Sequence, residues 1–403
     1  MKVTSMKLAD RLHRIAPFHV MDLLAKAKQL QAQGRDVIHL EVGEPDFATP
    51  EPIVQAGIEA LQTGKTHYTA ATGLPELKRA IADFYAQRYA QTVNPEHIVI
   101  TPGASGALQL VTALLANPNE KLLLADPGYP CNRHFMALIN AHGHMVPTTA
   151  QQGFQLTPSL IEQHWDEHTL GALVASPTNP TGAVMNAQEL DALYQAVKQR
   201  HGILVVDEIY HGLTYGHDAP SAVDKVQQGD AFVINSFSKY FGMTGWRLGW
   251  IVAPEWAVPA LDKLAQNLFL APPTPAQYAA LAAFKAETLS ILEARREEFA
   301  RRRAYLLPAL KQLGFHVPVE PSGAFYIYCD VSAFTQDSMQ FCLDLLEQQG
   351  VAITPGIDFS EQTGHYRGEH FVRLAYTTDV PRLQEAVARI QTFLHSLKNN
   401  GPL

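Results

Sequence analysis

A lysine directly follows an apolar run near the middle of the chain. The run Ala231–Ser236 is expected to form a strand, and Phe237, Ser238 and Lys239 come next. A lysine at a strand end can lie in a cleft that lowers its pKa, as an amine needs in order to form an imine with an aldehyde. Arg247 stands eight residues further on, and with the hydroxyls of Ser236 and Ser238 it would clamp a phosphate. A strand-end lysine alone is usually a surface residue, so the joint spacing carries the prediction.

A second apolar run, Gly202–Asp207, ends on an acid. Burying a carboxylate is costly without a cationic partner. A protonated pyridine nitrogen would be such a partner, and a protonated ring is an electron sink. Tyr210, three residues on, could donate to the phenolic oxygen of the same ring. By itself Asp207 fits equally well as the cap of a following helix.

Two further strand ends carry turns that suit a ligand. After Gly171–Ala175, a turn with two prolines and a glycine holds the Asn179 amide, and either proline could follow a cis bond. Such an amide could bond both a ring oxygen and a substrate carboxylate. After His97–Thr101, Ala104 and Ser105 begin a helix whose free N–H groups and dipole attract anions. Each of these motifs taken alone predicts a turn and does not by itself indicate a ligand site.

These strand ends must belong to one sheet. From about residue 50 to 285, short β-branched runs alternate with helical patterns, which indicates an α/β fold with a mostly parallel central sheet covered by helices on both faces. Function collects at the carboxyl ends of such strands. The chain is expected to divide into an N-terminal arm (1–48) that packs with the small domain, a large domain (49–285) and a smaller C-terminal α+β domain (286–403).

Composition excludes several classes of protein. The 403 residues are 47% hydrophobic and 17% charged, with a net charge of −8, which argues against a nucleic-acid surface. Three widely spaced cysteines suit a reducing compartment. The polar first 14 residues lack the apolar core of a signal peptide, and no apolar run approaches the ~20 residues of a membrane helix. A cytoplasmic protein is expected.

Two histidine-containing stretches are open to other interpretations. His164 and His168 have a spacing that could bind zinc, but Leu160–His168 carries several polar residues and is predicted to be a solvated helix. The stretch His142–His144 is predicted to be a turn that leads into the next strand. No metal site is expected.

Taken together, these motifs resemble the class I/II aminotransferases among the fold-type I enzymes that use pyridoxal 5'-phosphate (PLP), over nearly the whole chain. Further matching pieces are Val42–Phe47, His67–Thr69, Asp126–Pro130, Pro321–Tyr326 and Val372–Leu374. The resemblance implies PLP as cofactor and a homodimer with composite active sites.

The resemblance also implies residue roles. Lys239 would hold the cofactor and move a proton, Asp207 would pair with the pyridine nitrogen, and Tyr210 and Asn179 would bond the ring oxygen. Arg373, helped by the Gly43 backbone, would bind the substrate α-carboxylate. The remaining cofactor contacts would be Ala104, Ser105, Ser236, Ser238 and Arg247 at the phosphate, Tyr129 on the ring, and Tyr68 at the phosphate of the neighbouring subunit.

The implied activity is transfer of an amino group from an α-amino acid to a 2-oxo acid such as 2-oxoglutarate or pyruvate. The alternatives are a carbon–sulfur lyase or related enzyme of the same fold, and a non-catalytic PLP-binding module. Relatives that favour aspartate often carry a lysine near Ser105. Because none stands there, a neutral or aromatic side chain is favoured.

Overall fold

The structure is a computed structural model that describes residues 7–400 of the chain. Its strands are β1 (Ile38–His39), β2 (Ile98–Thr101), β3 (Lys121–Asp126), β4 (His142–Pro147), β5 (Thr169–Ala175), β6 (Ile203–Asp207), β7 (Ala231–Ser236), β8 (Gly249–Val252), β9 (Tyr326–Asp330), β10 (Val351–Ala352), β11 (Thr354–Pro355) and β12 (Phe371–Ala375).

Helices lie between most of these strands along the chain. Asn186, for example, forms a capping box with Glu189 ahead of the seventh helix. The helices are α1 (His19–Ala32), α2 (Glu51–Gln62), α3 (Pro75–Tyr89), α4 (Gly103–Leu115), α5 (Cys131–Leu138), α6 (Pro158–His164), α7 (Ala187–Lys198), α8 (Val223–Val226), α9 (Val258–Leu268), α10 (Thr274–Ala280), α11 (Ala286–Gln312), α12 (Ser338–Gln349) and α13 (Val380–Asn400).

Seven strands form the large sheet, in the order β2-β8-β7-β6-β5-β3-β4. Strand β8 runs antiparallel to its neighbours β2 and β7, and the other pairs are parallel. The expected strand ends after β5, β6 and β7 therefore point to one edge of the sheet.

Both faces of this sheet are buried, as the apolar strand runs predict. Along β6, Leu204 and Val206 pack in one hydrophobic cluster with residues of α3 and α7. Val205, which points to the other face, packs in a second cluster with residues of α4 and α9. This alternation follows from the two-residue period of a strand. The prediction of a mixed α/β fold with helices on both faces is confirmed.

The C-terminal part builds a smaller antiparallel sheet, in the order β11-β12-β9. Strand β1 pairs in parallel with β10, so the N-terminal segment packs against this part of the chain. Helix α11 begins at Ala286, next to the predicted boundary at residue 285. We propose the division into 1–48, 49–285 and 286–403 on these grounds.

Two local predictions were wrong. His142–His144 is not a turn, because it begins the edge strand β4. Gly143 is needed there for close packing, since a Cβ would lie 2.6 Å from the Cα of Arg133 in α5. The predicted helix Leu160–His168 ends at His164, and Asp166 instead accepts bonds from the His168 amide and the Thr169 hydroxyl.

Within residues 7–400, no helix is both long enough and apolar enough to cross a membrane.

Candidate active site

A cavity of about 420 Å³ opens at the carboxyl ends of β5, β6 and β7. The sheet, the C-terminal part and α1 all contribute to its wall. Most of the predicted site residues meet there, although the chain separates them by up to 330 positions. The predicted residues that line it are Gly43, Ala104, Ser105, Tyr129, Asn179, Asp207, Tyr210, Ser238, Lys239, Arg247 and Arg373.

Lys239 lies in the loop after β7 and points into the cavity. Its Nζ donates to the carbonyl oxygen of Gly43 at 2.5 Å and lies 5.9 Å from the ring centroid of Tyr210. Burial lowers the pKa of the amine to about 8, although the nearby carboxylate of Glu44 acts in the opposite direction. A substantial share of the amine is therefore neutral in mildly alkaline solution, as a nucleophile or a proton acceptor requires.

Asp207 is the last residue of β6 and is buried. Its Oδ1 accepts from the Ile209 amide at 3.0 Å, and no described lysine, arginine or histidine lies within ion-pair distance of it. Burial raises the pKa of this carboxyl to about 6. A carboxylate that faces a cavity without a cation is suited to a cationic ligand group.

Tyr210 is buried beside Asp207, and its hydroxyl lies 2.8 Å from that of Tyr326. The sequence interpretation included Tyr326 in a matching motif but gave it no role. Its hydroxyl also fills the place of a side chain at position 43, because a Cβ on Gly43 would lie 2.1 Å from that oxygen. Tyr326 thus orients Tyr210 and explains why a glycine is needed opposite Lys239.

One end of the cavity lies at the start of α4 and is suited to an anion. Gly103 adopts φ +72°, and a Cβ there would lie 2.6 Å from Nη2 of Arg247, so the glycine lets the guanidinium approach the free N–H groups of the helix. The Ser238 side chain completes this end of the cavity. Ser236 lies behind the lining, where its hydroxyl accepts from the Ser238 amide at 3.0 Å. Its direct contact with a phosphate stays a prediction.

Arg373 is the buried cation of the site. Its guanidinium donates to Asn179 Oδ1 at 2.8 Å and to the carbonyl oxygen of Glu41 at 2.5 Å, and it lies 4.3 Å from the ring centroid of Tyr326. No carboxylate of residues 7–400 forms an ion pair with it. Its Nε has no partner among these residues either. A buried guanidinium that lacks an anion is suited to bind a carboxylate bidentately.

The turn that carries Asn179 agrees with the sequence interpretation, which allowed either proline to follow a cis bond. The bonds that precede Pro177 and Pro180 are both cis, and Asn179 bonds Arg373. Tyr68 lies outside the cavity with 80% of its surface exposed. Its predicted contact with a neighbouring subunit remains a prediction.

Sequence reasoning missed the apolar wall that α1 and its N-cap residue contribute. Phe18, Val20, Met21 and Leu24 line the cavity, and Leu108 of α4 lies there as well. The helical spacing of these residues is visible in the sequence, but it indicates only a packed face. Their position against the site depends on tertiary contacts.

Within the described part of the chain, no three histidine, cysteine, aspartate or glutamate side chains are grouped so that they could hold a metal ion.

Known proteins share both the sequence and the fold. Curated relatives include a valine–pyruvate aminotransferase of Mycobacterium tuberculosis, 37% identical over 95% of this chain and 97% of that protein. An aspartate aminotransferase of Thermotoga maritima is 35% identical over 96% of this chain and all of that protein. The crystal structure of an aminotransferase from M. tuberculosis superposes with a TM-score of 0.91 and 37% identity, over 97% of this chain and 100% of that one.

The family model described as "Aminotransferase class I and II" matches residues 35–390. This range contains nearly all of the cavity, from Gly43 to Arg373. The chain therefore belongs to the class I and II aminotransferase family, and it is an aminotransferase.

Proposed function

We propose that this aminotransferase uses PLP to move the amino group of an α-amino acid with an uncharged, mainly apolar side chain to 2-oxoglutarate or pyruvate. The observation that carries the proposal is one cavity with three features: a neutralisable amine at Lys239, and a buried acid at Asp207 and a buried guanidinium at Arg373 that have no ion-pair partner among residues 7–400. This set matches a cationic ring on one side and a carboxylate on the other.

The residues present fit PLP. The free N–H groups at the start of α4, with Arg247 and Ser238, would hold its phosphate. Asp207 would hold the ring nitrogen, and Tyr210 with Asn179 would bond the ring oxygen. Tyr129 would cover one face of the ring, and Lys239 would bind the aldehyde carbon. Ser236 would support Ser238 from behind.

When bound, the cofactor supplies an electron sink for the electrons released at the substrate Cα. Residues of the chain bind and orient the substrate and move the proton. Arg373 binds the α-carboxylate and so orients the Cα–H bond towards Lys239. The Nζ of Lys239 would accept the proton from the substrate Cα and hold it, as its lowered pKa allows. Asp207 would supply the negative charge that pairs with the ring nitrogen.

The apolar wall supports the choice of substrate class. Among the described residues that line the cavity, the cations are Lys239, Arg247 and Arg373, and the proposal gives each of them a task. The distal carboxylate of aspartate would meet no further cation from these residues. The relatives' names include both valine–pyruvate and aspartate aminotransferases, and the wall from α1 agrees better with the first.

A panel of amino acids tests the substrate class. With 2-oxoglutarate or pyruvate as acceptor, kcat/KM for L-valine or L-phenylalanine is expected to exceed that for L-aspartate by about tenfold or more, because charge burial without a partner costs more than a kilocalorie per mole. Strong activity on L-aspartate alone would contradict the assignment. Release of a thiol without use of the 2-oxo acid would support a lyase. A cofactor absorbance band unchanged by every amino acid would support a non-catalytic module.

We propose further that the protein works as a cytoplasmic homodimer in which Tyr68 of each subunit reaches the neighbouring active site. The exposure of Tyr68 supports this, since a large aromatic side chain that is 80% exposed gains most from burial at an interface. Sedimentation shows the oligomeric state. Weaker cofactor retention in Tyr68→Phe would support the composite site, and unchanged retention would contradict it.

The burial of Asp207 leads to a stability prediction for the cofactor-free protein. The pKa of Asp207 in the folded state, about 6, lies above the usual 3.8. Between these two pH values the folded state binds more protons than the unfolded state, so stability falls as the pH rises from one value to the other. Asp207→Asn should therefore raise the free energy of unfolding at pH 7 by about 3 kcal/mol and by little near pH 4. Denaturant titrations at both pH values measure this difference.

The matched control is Asp83→Asn, which changes an exposed acid on α3 and should leave the free energy of unfolding nearly unchanged. Addition of PLP should stabilise the wild-type protein more than Asp207→Asn. Equal stabilisation would show that Asp207 does not pair with the cofactor.

A further inference from the structure

The start of α1 is capped by an acid from a distant part of the chain. Phe18, at the N-cap position, offers no side-chain acceptor. Instead the Asp358 carboxylate accepts from the His19 amide at 2.9 Å and from the Val20 amide at 2.8 Å. These amides are among the first N–H groups of the helix, which have no partner within it. A carboxylate at this end also interacts favourably with the helix dipole.

Asp358 is buried, and the side chains of His19 and Arg373 lie near enough to interact with its charge, although neither forms an ion pair with it. Its side chain is only 3% exposed, and no lysine or arginine of residues 7–400 forms an ion pair with it. The two amides of α1 are the hydrogen-bond donors that these residues offer to its carboxylate. Because a buried carboxylate is costly without partners, the two amides of α1 stabilise Asp358 directly, and Asp358 in turn holds the start of α1.

The segment that carries Asp358 also touches the carboxylate-binding arginine. Strand β11 ends three residues before Asp358, and its Thr354 pairs in register with Arg373 of β12. The Thr354 hydroxyl accepts from Arg373 at 3.3 Å. One short segment therefore holds both the group that binds the α-carboxylate and the helix that supplies the apolar wall.

We infer that Asp358 is a positioning residue that sets amino-acid selectivity, because it fixes the apolar side chains of α1 at a set distance from Arg373. The inference rests on the proposed function, in which the substrate side chain contacts the wall formed by Phe18, Val20, Met21 and Leu24. A large apolar side chain contacts this wall and a methyl side chain barely does. Loss of the contact that holds α1 should therefore raise KM for amino acids with large side chains more than for those with small ones.

The test compares L-phenylalanine with L-alanine as amino donors for the holoenzyme. Asp358→Ala should raise KM for L-phenylalanine about tenfold, as expected for loss of a helix cap, while kcat and the constants for L-alanine change about twofold at most. Asp358→Asn keeps one acceptor and should lie between the wild type and Asp358→Ala. Hydrogen exchange of the α1 amides should rise in the same order.

The control is Asp379→Ala, because Asp379 caps α13 through the Arg382 amide at 2.8 Å, outside the cavity lining. It removes an exposed helix cap of one hydrogen bond and should leave the ratio of the two KM values at the wild-type value. If Asp358→Ala fails to fold, Asp358→Asn tests the same ratio.

Two results would overturn the inference. The first is a wild-type KM ratio in the Asp358 variants, and the second is an equal loss for both amino acids. A wild-type protein that transaminates neither amino acid would instead contradict the proposed function. The two failures are therefore distinguishable.

Discussion

Replacing Lys239 by alanine is expected to abolish turnover, a loss of about 10⁴-fold, while the fold and non-covalent cofactor binding persist. The reason is the position of the Lys239 amine in the cavity. Its amine, bonded to the Gly43 carbonyl, has its pKa lowered to about 8 by burial, so it can release and take up a proton near neutral pH. Single-turnover and steady-state assays with a reactive amino acid measure the loss.

Lys263→Ala is the matched control, since this lysine is exposed on α9 and should leave activity unchanged. Thermal unfolding of both variants should show that the Lys239 variant is folded. The cofactor should leave the Lys239 variant on gel filtration more readily than it leaves the control. Retained turnover in Lys239→Ala would contradict the role given to this residue.

Replacing Arg373 by alanine should raise KM by roughly 30- to 4,000-fold, which corresponds to loss of about 2–5 kcal/mol from a buried charged contact. The change also leaves Asn179 Oδ1 and the Glu41 carbonyl without their donor. Both the amino acid and the 2-oxo acid carry an α-carboxylate. The KM values of the two substrates should therefore rise together.

The KM values of Arg373→Lys should lie between those of the wild type and those of Arg373→Ala, because lysine keeps the charge but cannot present two parallel N–H donors. Arg79→Ala removes an exposed arginine of α3 and should leave both constants unchanged. Circular dichroism separates loss of binding from loss of fold. An unchanged KM in Arg373→Ala would mean that another residue binds the α-carboxylate.

Much of the fold and most of the candidate site could be predicted from the sequence. Strands such as Ala231–Ser236 were predicted to the residue, because a mostly apolar run is typical of a strand whose two faces are both covered. A lysine or an acid directly after such a run must lie at the carboxyl edge of the sheet. The pattern therefore places Lys239 and Asp207 at the same edge.

Predictions from the local sequence pattern were wrong where a residue's conformation depended on other contacts. Gly143 is typical of a turn, yet it is a strand residue because α5 packs against its Cα. Asp166 shortened the predicted helix to His164 through its own hydrogen bonds. In each case the outcome depended on which groups came within contact distance, and spacing along the chain does not contain that information.

Lys239 and its partners at the strand ends were thus determined by sequence alone, since short-range pattern dictates both strand and edge. The tertiary structure alone decided what surrounds them. It brought Asp358 to the start of α1 across more than 330 residues, and it set the apolar wall of that helix against Arg373. Such contacts arise from the packing of whole elements, whose relative placement depends on the summed burial of many side chains and not on any one motif.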